Sequence, residues 1–414
     1  MLLFGIVCLL DVVLAVVITR MLVQAKRYRS LTPATAGPVR RDWPTIAVIV
    51  PARDEAASIG ACVRGLLDQA YPAEQLRLIV VDDGSRDGTP DLARAAAAAD
   101  PRFRIVSAAA PPVGWTGKTH ALATGFDQLV VWGGRPDYLC FVDADTAAEP
   151  DLLRAAVAHA RMQRIDMLSL GPAQVLGSWA ERLVMPCGFF LIAASQDIAR
   201  LNATERPEAS ANGQFLLFRT EAYCEIGGHA AVRAEICEDA ALARRAKRHG
   251  LRFALLGADR LIRVRMYRDA RALWSGLSKN VSALGGGPAG TVGIAAAGLA
   301  LAIAVPVCAA LTLAAWLHQP SIANALATGF SLAGFLALLG LHAAGARHFR
   351  IPFGYALLFP AGYAACLLLA LNGARVVRYG GASWKGRRYP ASRPSDTVAA
   401  RPRSRGSAAE RTHA

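Results

Sequence analysis

Residues 46–89 read IAVIVPARDEAASIGACVRGLLDQAYPAEQLRLIVVDDGSRDGT. Two short apolar runs, Ile46–Val50 and Leu78–Val81, each end in an acid-bearing turn, and the stretch 55–69 between them has a helix-like pattern. A strand, a helix-length crossover and a second strand predict parallel pairing. The alternation continues with an Ala-rich helix over 89–98, a strand over 103–107, a helix over 118–130 and a strand over 138–142. The expected fold is therefore α/β, a mostly parallel, doubly wound sheet. Such sheets bind ligands at the carboxyl ends of their strands. PARDE (51–55), VDDGSRDGT (81–89) and FVDADT (141–146) all fall at such ends.

In FVDADT, Asp143 and Asp145 stand at i and i+2, so an extended chain turns both carboxylates to one side, where they repel. A cation would relieve that repulsion. The same acids also suit a turn, or the cap of a helix starting around Glu149-Pro150-Asp151-Leu152. In VDDGSRDGT, Asp82 and Asp83 end a strand and could accept hydrogen bonds from a nucleobase or a ribose. Gly84, Ser85 and Gly88 make an ordinary polar turn. Glu55 follows Pro51 at the start of a helix, where a carboxylate also satisfies the helix dipole.

GWTGKTHALATGF (114–126) places Gly117 and Lys118 ahead of a helix, but position 112 is proline where a P-loop needs glycine. Lys118 suits either a phosphate or solvent. His120 has no second His or Cys at metal spacing and is read as structural. Farther on, ANGQFLLFRTEAYCEIGGH (211–229) supplies a strand over Gln214–Phe218. In EICEDAALARRAKRHG (235–250), Glu238 and Asp239 open a helix whose last turns carry Arg244, Arg245, Lys247 and Arg248, a distribution that complements the dipole.

The chain has 414 residues, of which 54% are hydrophobic, enough for one large domain plus membrane segments. Residues 2–19 are nearly all apolar, interrupted by Asp11 and followed by Arg20, Lys26, Arg27 and Arg29. This predicts an N-terminal membrane anchor over 1–25 with a cytoplasmic C-terminal end. A cleaved signal peptide ending near Val23-Gln24-Ala25 is the rival, disfavoured because no Lys or Arg precedes the apolar run. A Pro/Ala/Thr linker at about 30–44 leads to the α/β region, 45–280.

Three more apolar segments, 291–317, 321–343 and 351–372, fall within a membrane region at 288–373, each near the ~20 residues a span requires. Three spans after a cytoplasmic domain would carry the tail outside, whereas Arg375, Arg378, Lys385, Arg387 and Arg388 favour the inside. One segment is therefore expected to be re-entrant or interfacial. A basic, low-complexity tail over 390–414 is expected to be disordered. The uncharged run 183–194 is too short to span a bilayer and reads as a buried or interfacial helix kinked at Pro186.

The net charge of +15 sits in juxtamembrane clusters, the segment 244–271 and the tail, which fits anionic lipid headgroups better than nucleic acid. Eight cysteines without C-x-x-C spacing are read as reduced structural thiols.

Taken in order, P-A-R-D-E, V-D-D-G-S-x-D-G-T, G-K-x-x-A-x-x-x-G, D-A-D, G-x-x-x-x-x-R with G-G-H, E-D, and W-K-G-R at 384–387 resemble a family 2 glycosyltransferase with the GT-A fold. The nearest likeness is to the membrane-bound branch of hopene-associated and carotenoid-acid glycosyltransferases. The resemblance implies that Pro51, Glu55, Asp82 and Asp83 surround the base and ribose of a nucleotide sugar. Lys118 and Asp143 would contact the donor, and Asp145, with Asp143, would hold Mg²⁺ or Mn²⁺ on its diphosphate. Asp239 would be the general base of an inverting transfer, with Glu238 beside it.

The implied reaction moves one sugar from a nucleotide-diphosphate donor, expected to be UDP-linked, to a hydroxyl or carboxyl of a hopanoid- or carotenoid-related lipid. A multi-pass protein of the cell membrane with a cytoplasmic catalytic domain is expected, and no nucleic-acid partner. Processive synthases of the family carry Q-x-x-R-W, and MYRDARALWSGLSKN (266–280) does not, so polymer synthesis is disfavoured. A non-catalytic scaffold is disfavoured because Asp143, Asp145 and Asp239 are all present. One tension is physical: a helix N-terminus weakens Asp239 as a base, while burial strengthens it.

Overall fold

The computed structural model describes residues 2–36, 42–280, 287–379, 382–385 and 387–389. The basic tail lies outside them. Helix α1 (Leu2–Arg27) precedes the α/β unit. That unit runs β1 (Ile46–Ala52), α2 (Ile59–Leu67), β2 (Leu76–Asp82), α3 (Thr89–Ala97), β3 (Phe103–Ser107), α4 (Gly117–Gly133) and β4 (Tyr138–Val142). It continues through β5 (Thr146–Ala148), α5 (Leu152–Gln163), β6 (Met167–Gly171), β7 (Ala173–Gln174), α6 (Trp179–Ser195), α7 (Ile198–Asn202), β8 (Phe215–Arg219) and α8 (Thr220–Glu225). It closes with α9 (Glu238–Arg248), β9 (Phe253–Gly257), β10 (Ile262–Val264) and α10 (Ala270–Asn280).

Seven strands form one sheet in the order β3-β2-β1-β4-β8-β6-β9. Pairing is parallel except at β8, which runs antiparallel to both β4 and β6. Residues 46–50 of β1 are all buried because both faces of the sheet are covered, so the strand reads as an unbroken apolar run. One face packs on α2, α3 and α5 through Ile59, Leu66, Ala93 and Leu153, and the other on α4, α8 and α9 through Leu122, Leu129, Tyr223 and Leu242. This is the doubly wound arrangement the alternation predicts.

Because β1 pairs with β2 on one side and β4 on the other, the ends of these three strands adjoin. The chain switches direction across the sheet at β1, the usual position for a ligand crevice.

Helices α11 (Pro288–His318), α12 (Ile322–His348) and α13 (Phe359–Tyr379) follow. Together with α1 they are four helices long and apolar enough to cross a membrane. Each of the three is one continuous helix, of 31, 27 and 21 residues. The third starts at 359 rather than 351 because Pro352 precedes a separate short turn, Phe353–Ala356, and holds the chain out of the helix. A hairpin of β11 (Ala382–Trp384) and β12 (Arg387–Tyr389) ends the described chain.

Residues 183–194 lie within helix α6 (Trp179–Ser195), with Pro186 inside it. The helix begins with a Ser178/Glu181 capping box and packs along α13. A Cβ at Gly362 would lie 2.6 Å from the Leu183 carbonyl oxygen, so only glycine permits this approach. Cys366 Sγ donates to the Val184 carbonyl at 3.7 Å. Arg20 of α1 donates to the Ala194 carbonyl at 2.7 Å, satisfying one of the open acceptors at the C-terminal end of α6.

Candidate active site

After β4 the chain folds back at once: Thr146 donates through Oγ1 to the Asp143 carbonyl at 2.9 Å, and Asp143 N–H donates to the Gln214 carbonyl at 3.3 Å. The backbone of D-A-D is thereby fixed and its carboxylates are left to the crevice. Asp145 Oδ1 is buried without a hydrogen-bond partner. Burial, then the neighbouring Asp143 and Glu55, push the Asp145 carboxyl up to about 8, although Lys118 and Lys385 oppose the shift.

Helix α4 is capped by Thr116, whose hydroxyl accepts from Thr119 N–H at 3.2 Å. That cap places Lys118 in the first turn, with Nζ 2.8 Å from Asp143 Oδ1 and 2.8 Å from Glu238 Oε1. Of the two sequence readings for Lys118, solvent exposure fails: the ammonium lies between carboxylates inside the crevice. Burial alone would depress the Lys118 ammonium, but Asp143 and Glu238 hold it well above the ordinary lysine value. Burial raises Glu238 in turn, and Lys118 more than reverses this, leaving it lowered and ionised.

Asp239, next along α9, accepts from Gly213 N–H at 2.8 Å. Burial and the adjacent Glu238 raise its carboxyl to about 6, against the opposing effects of Lys118 and of the Ala240 and Gly213 N–H groups. Burial therefore wins over the helix N-terminus. A group titrating there is mostly ionised at neutral pH and still basic enough to accept a proton.

Asp143, Asp145, Lys118, Glu238 and Asp239 line a cavity of about 1340 Å³. Pro51, Glu55 and Asp83 line its other polar wall. Asp82 does not join them. Its Oδ1 accepts from Ser85 N–H at 3.2 Å and closes the turn. The His120 ring packs against Trp115, with centroids 5.6 Å apart. The cavity extends to apolar side chains of three helices: Phe189 and Ile192 of α6, Ile294 of α11, and Leu369 of α13.

Among the described residues no three His, Cys, Asp or Glu side chains converge to hold a metal ion unaided. Two carboxylates, one with an unpartnered oxygen, suit a divalent cation that completes its shell with a diphosphate and water, the usual state of Mg²⁺.

Sequence reading missed the partners of the acids at the polar wall. Lys385 Nζ pairs with Glu55 Oε1, and Arg387 with Asp83 Oδ2, across 330 and 304 positions of chain. The W-K-G-R motif was the available signal, but spacing alone does not show where it lands. Arg20, Arg244, Arg265 and Arg268 also line the cavity and carried no local signature.

Comparison with known proteins places these features. The chain is 27% identical over 251 residues to 4,4'-diaponeurosporenoate glycosyltransferase of Staphylococcus aureus strain MRSA252, a match covering 58% of this chain and 62% of that protein. The same enzyme of strain USA300 is 26% identical over the same shares. The chain thus spans about three fifths of the length of the curated relatives it matches. In structure it is similar to a mannosyltransferase of Pyrobaculum calidifontis solved in complex with GDP-Man and Mn²⁺, with a TM-score of 0.51 and 19% identity, covering 90% of this chain and 99% of that one. That likeness bears on the fold, which is GT-A. The sequence model of the family described as glycosyltransferase like family 2 matches residues 44–278, more than half of the chain, and the protein belongs to that family.

Proposed function

We propose that the protein is a membrane-bound, metal-dependent, inverting glycosyltransferase that moves one sugar from a UDP-type donor to an apolar lipid, with its catalytic unit on the cytoplasmic side. The observation that carries this reading is the continuity of one cavity from the Asp143, Asp145 and Asp239 carboxylates to the apolar side chains of α6, α11 and α13. A polar acceptor would not require that wall. A lipid held along these helices can present its head to Asp239 without leaving the bilayer.

In this reading Pro51, Glu55 and Asp83 face the nucleotide, and Asp143 and Lys118 the sugar and diphosphate. A divalent ion held by Asp145 and Asp143 would neutralise the charge that develops on the departing nucleoside diphosphate. Asp239 accepts the proton of an attacking hydroxyl on the face opposite the leaving group, which inverts the anomeric centre. Glu238 is tied to Lys118 and keeps its charge, so the proton goes to Asp239.

A second reading, in which the acceptor is a carboxylate, is favoured by the relatives, whose name specifies an acid anion, and by Arg20, Arg244, Arg265 and Arg268 along the cavity. A carboxylate arrives already deprotonated and needs no base.

The test is incubation of the full chain in detergent with UDP- and GDP-sugars, Mn²⁺, and hopanoid, carotenoid-acid and glycerolipid acceptors. Products would be read by mass spectrometry and anomeric NMR. Transfer to a lipid with inverted configuration supports the proposal. Polymer formation, retention of configuration, or transfer to soluble acceptors alone would overturn it.

A further inference from the structure

The hairpin of β11 and β12 follows the last membrane helix, yet its Lys385 and Arg387 end in the crevice of the α/β unit. Lys385 Nζ donates to the Arg53 carbonyl at 2.6 Å and to the Asp54 carbonyl at 3.4 Å, besides its ion pair with Glu55. Arg53 Nε donates back to the Lys385 carbonyl at 3.0 Å. Arg387 grips one residue with both arms of its guanidinium, Nη1 on Asp83 Oδ2 and Nη2 on the Asp83 carbonyl at 3.4 Å. Thus P-A-R-D-E and V-D-D-G are each bound to W-K-G-R.

We propose that Lys385 and Arg387 form a third wall of the donor site: Arg387 positions Asp83 for the nucleoside, and Lys385 supplies a cation for the donor diphosphate. This rests on the reading that Glu55 and Asp83 face the nucleotide. Three observations support it. First, by holding Oδ2, Arg387 leaves Asp83 Oδ1 buried and without a partner. An acceptor left open in a buried carboxylate costs free energy unless a ligand fills it, and a base N–H or ribose hydroxyl is the matching donor.

Second, the space for Arg387 is built into a neighbouring motif. A Cβ at Gly117 would lie 2.2 Å from Arg387 Nη1 and 2.4 Å from Asp83 Oδ2. A side chain at the glycine preceding Lys118 would therefore displace the guanidinium or the Asp83 carboxylate from its present place. Third, Lys385 lines the cavity together with Glu55, Asp143 and Asp145. Its ammonium is a point charge on a flexible stem with three donors, able to share Glu55 with a phosphate oxygen without leaving its carbonyl contacts. Lys118, which also lines the cavity, is already committed to Asp143 and Glu238.

The experiment uses the full chain in detergent and measures binding of UDP, UMP and uridine with Mn²⁺ by calorimetry, with GDP, GMP and guanosine in parallel. Lys385→Met is expected to weaken the diphosphate tenfold or more while changing the nucleoside less than threefold. Arg387→Met is expected to weaken nucleoside and diphosphate alike, and Arg387→Lys to recover only part of that loss, because an ammonium cannot make the two-armed grip. Gly117→Ala is expected to reproduce the Arg387→Met pattern. Should a variant fail to fold, tryptic cleavage of the wild-type chain after Lys385 and Arg387, read by mass spectrometry, replaces it, with at least fivefold slowing by UDP and Mn²⁺ expected. Variants binding UDP within twofold of wild type, or cleavage unaffected by a nucleotide that demonstrably binds, would overturn the proposal. A wild-type chain binding neither UDP nor GDP would instead overturn the donor-site reading beneath it.

Discussion

Lys118 Nζ stands 2.8 Å from Glu238 Oε1 and so joins the first turn of α4 to the first turn of α9. The contact neutralises the acid next to Asp239 and leaves Asp239 as the group with a raised, usable affinity for a proton.

Replacing Lys118 with methionine removes that neutralisation. Glu238 and Asp143 then lie partly buried without their cation, so the chain should lose on the order of 3 kcal/mol of stability, the cost of breaking a largely buried pair. With Glu238 uncompensated, Asp239 should bind its proton more tightly. Since the ionised form is the active base, the acid limb of the kcat/KM profile should move to higher pH. Thermal melting and a pH–rate profile check the two effects, and an unmoved acid limb would separate Lys118 from the base.

In the wild-type chain the same logic fixes the sign of the pH dependence. Asp239 is raised to about 6, so kcat/KM should rise through that pH and be lost below it. Asp239→Asn should lower turnover by about 10²-fold or more, abolish that limb and leave UDP affinity within a few-fold. Transfer to a carboxylate acceptor that survives the substitution would favour the second reading of the acceptor. Collapse of UDP affinity would make Asp239 a binding residue.

Asp145→Asn tests the metal assignment. The variant should lose transfer, and its UDP binding should no longer respond to Mn²⁺, measured by calorimetry with and without EDTA. Full wild-type activity in excess EDTA would remove the ion from the reaction.

These residues also show what the sequence could and could not disclose. Strands β1, β2 and β4 were legible because burial on both faces demands continuous apolar runs, and their acidic ends stood out because each places two carboxylates within three residues of one another, although the same acids also suit turns and caps. The reversal of β8 was not, since an apolar run such as FLLF carries no direction. Asp82 and Asp83 were read together, yet adjacent residues at a strand end point to opposite sides, and only Asp83 faces the cavity. Lys118 remained ambiguous because its partner Glu238 lies 120 positions away, and the hairpin cations because theirs lie farther still.

Phe189 and Phe190 form a pair that sequence reading treats as one apolar unit and that the fold divides. The ring of Phe189 lines the cavity while stacking on Phe349, with centroids 5.5 Å apart. Phe190 turns instead toward α12, its ring centroid 5.1 Å from that of His342, and a Cβ at Gly345 would come within 2.5 Å of its Cζ. The two therefore answer different questions. Phe189→Ser places a hydroxyl on the wall that an apolar acceptor would follow, so transfer to a detergent-dispersed lipid should fall at least tenfold, while UDP binding and slow hydrolysis of the donor by water stay within about twofold of wild type, because neither uses that wall. Phe190→Ala removes packing between α6 and α12, so its first effect should be on stability, roughly 2 kcal/mol for a half-buried phenylalanine, with transfer and hydrolysis falling together. The assay compares the three rates in one detergent, with thermal melting beside them. A Phe189 variant that loses transfer, hydrolysis and stability in proportion would return that side chain to ordinary packing and place the acceptor's path elsewhere in the cavity.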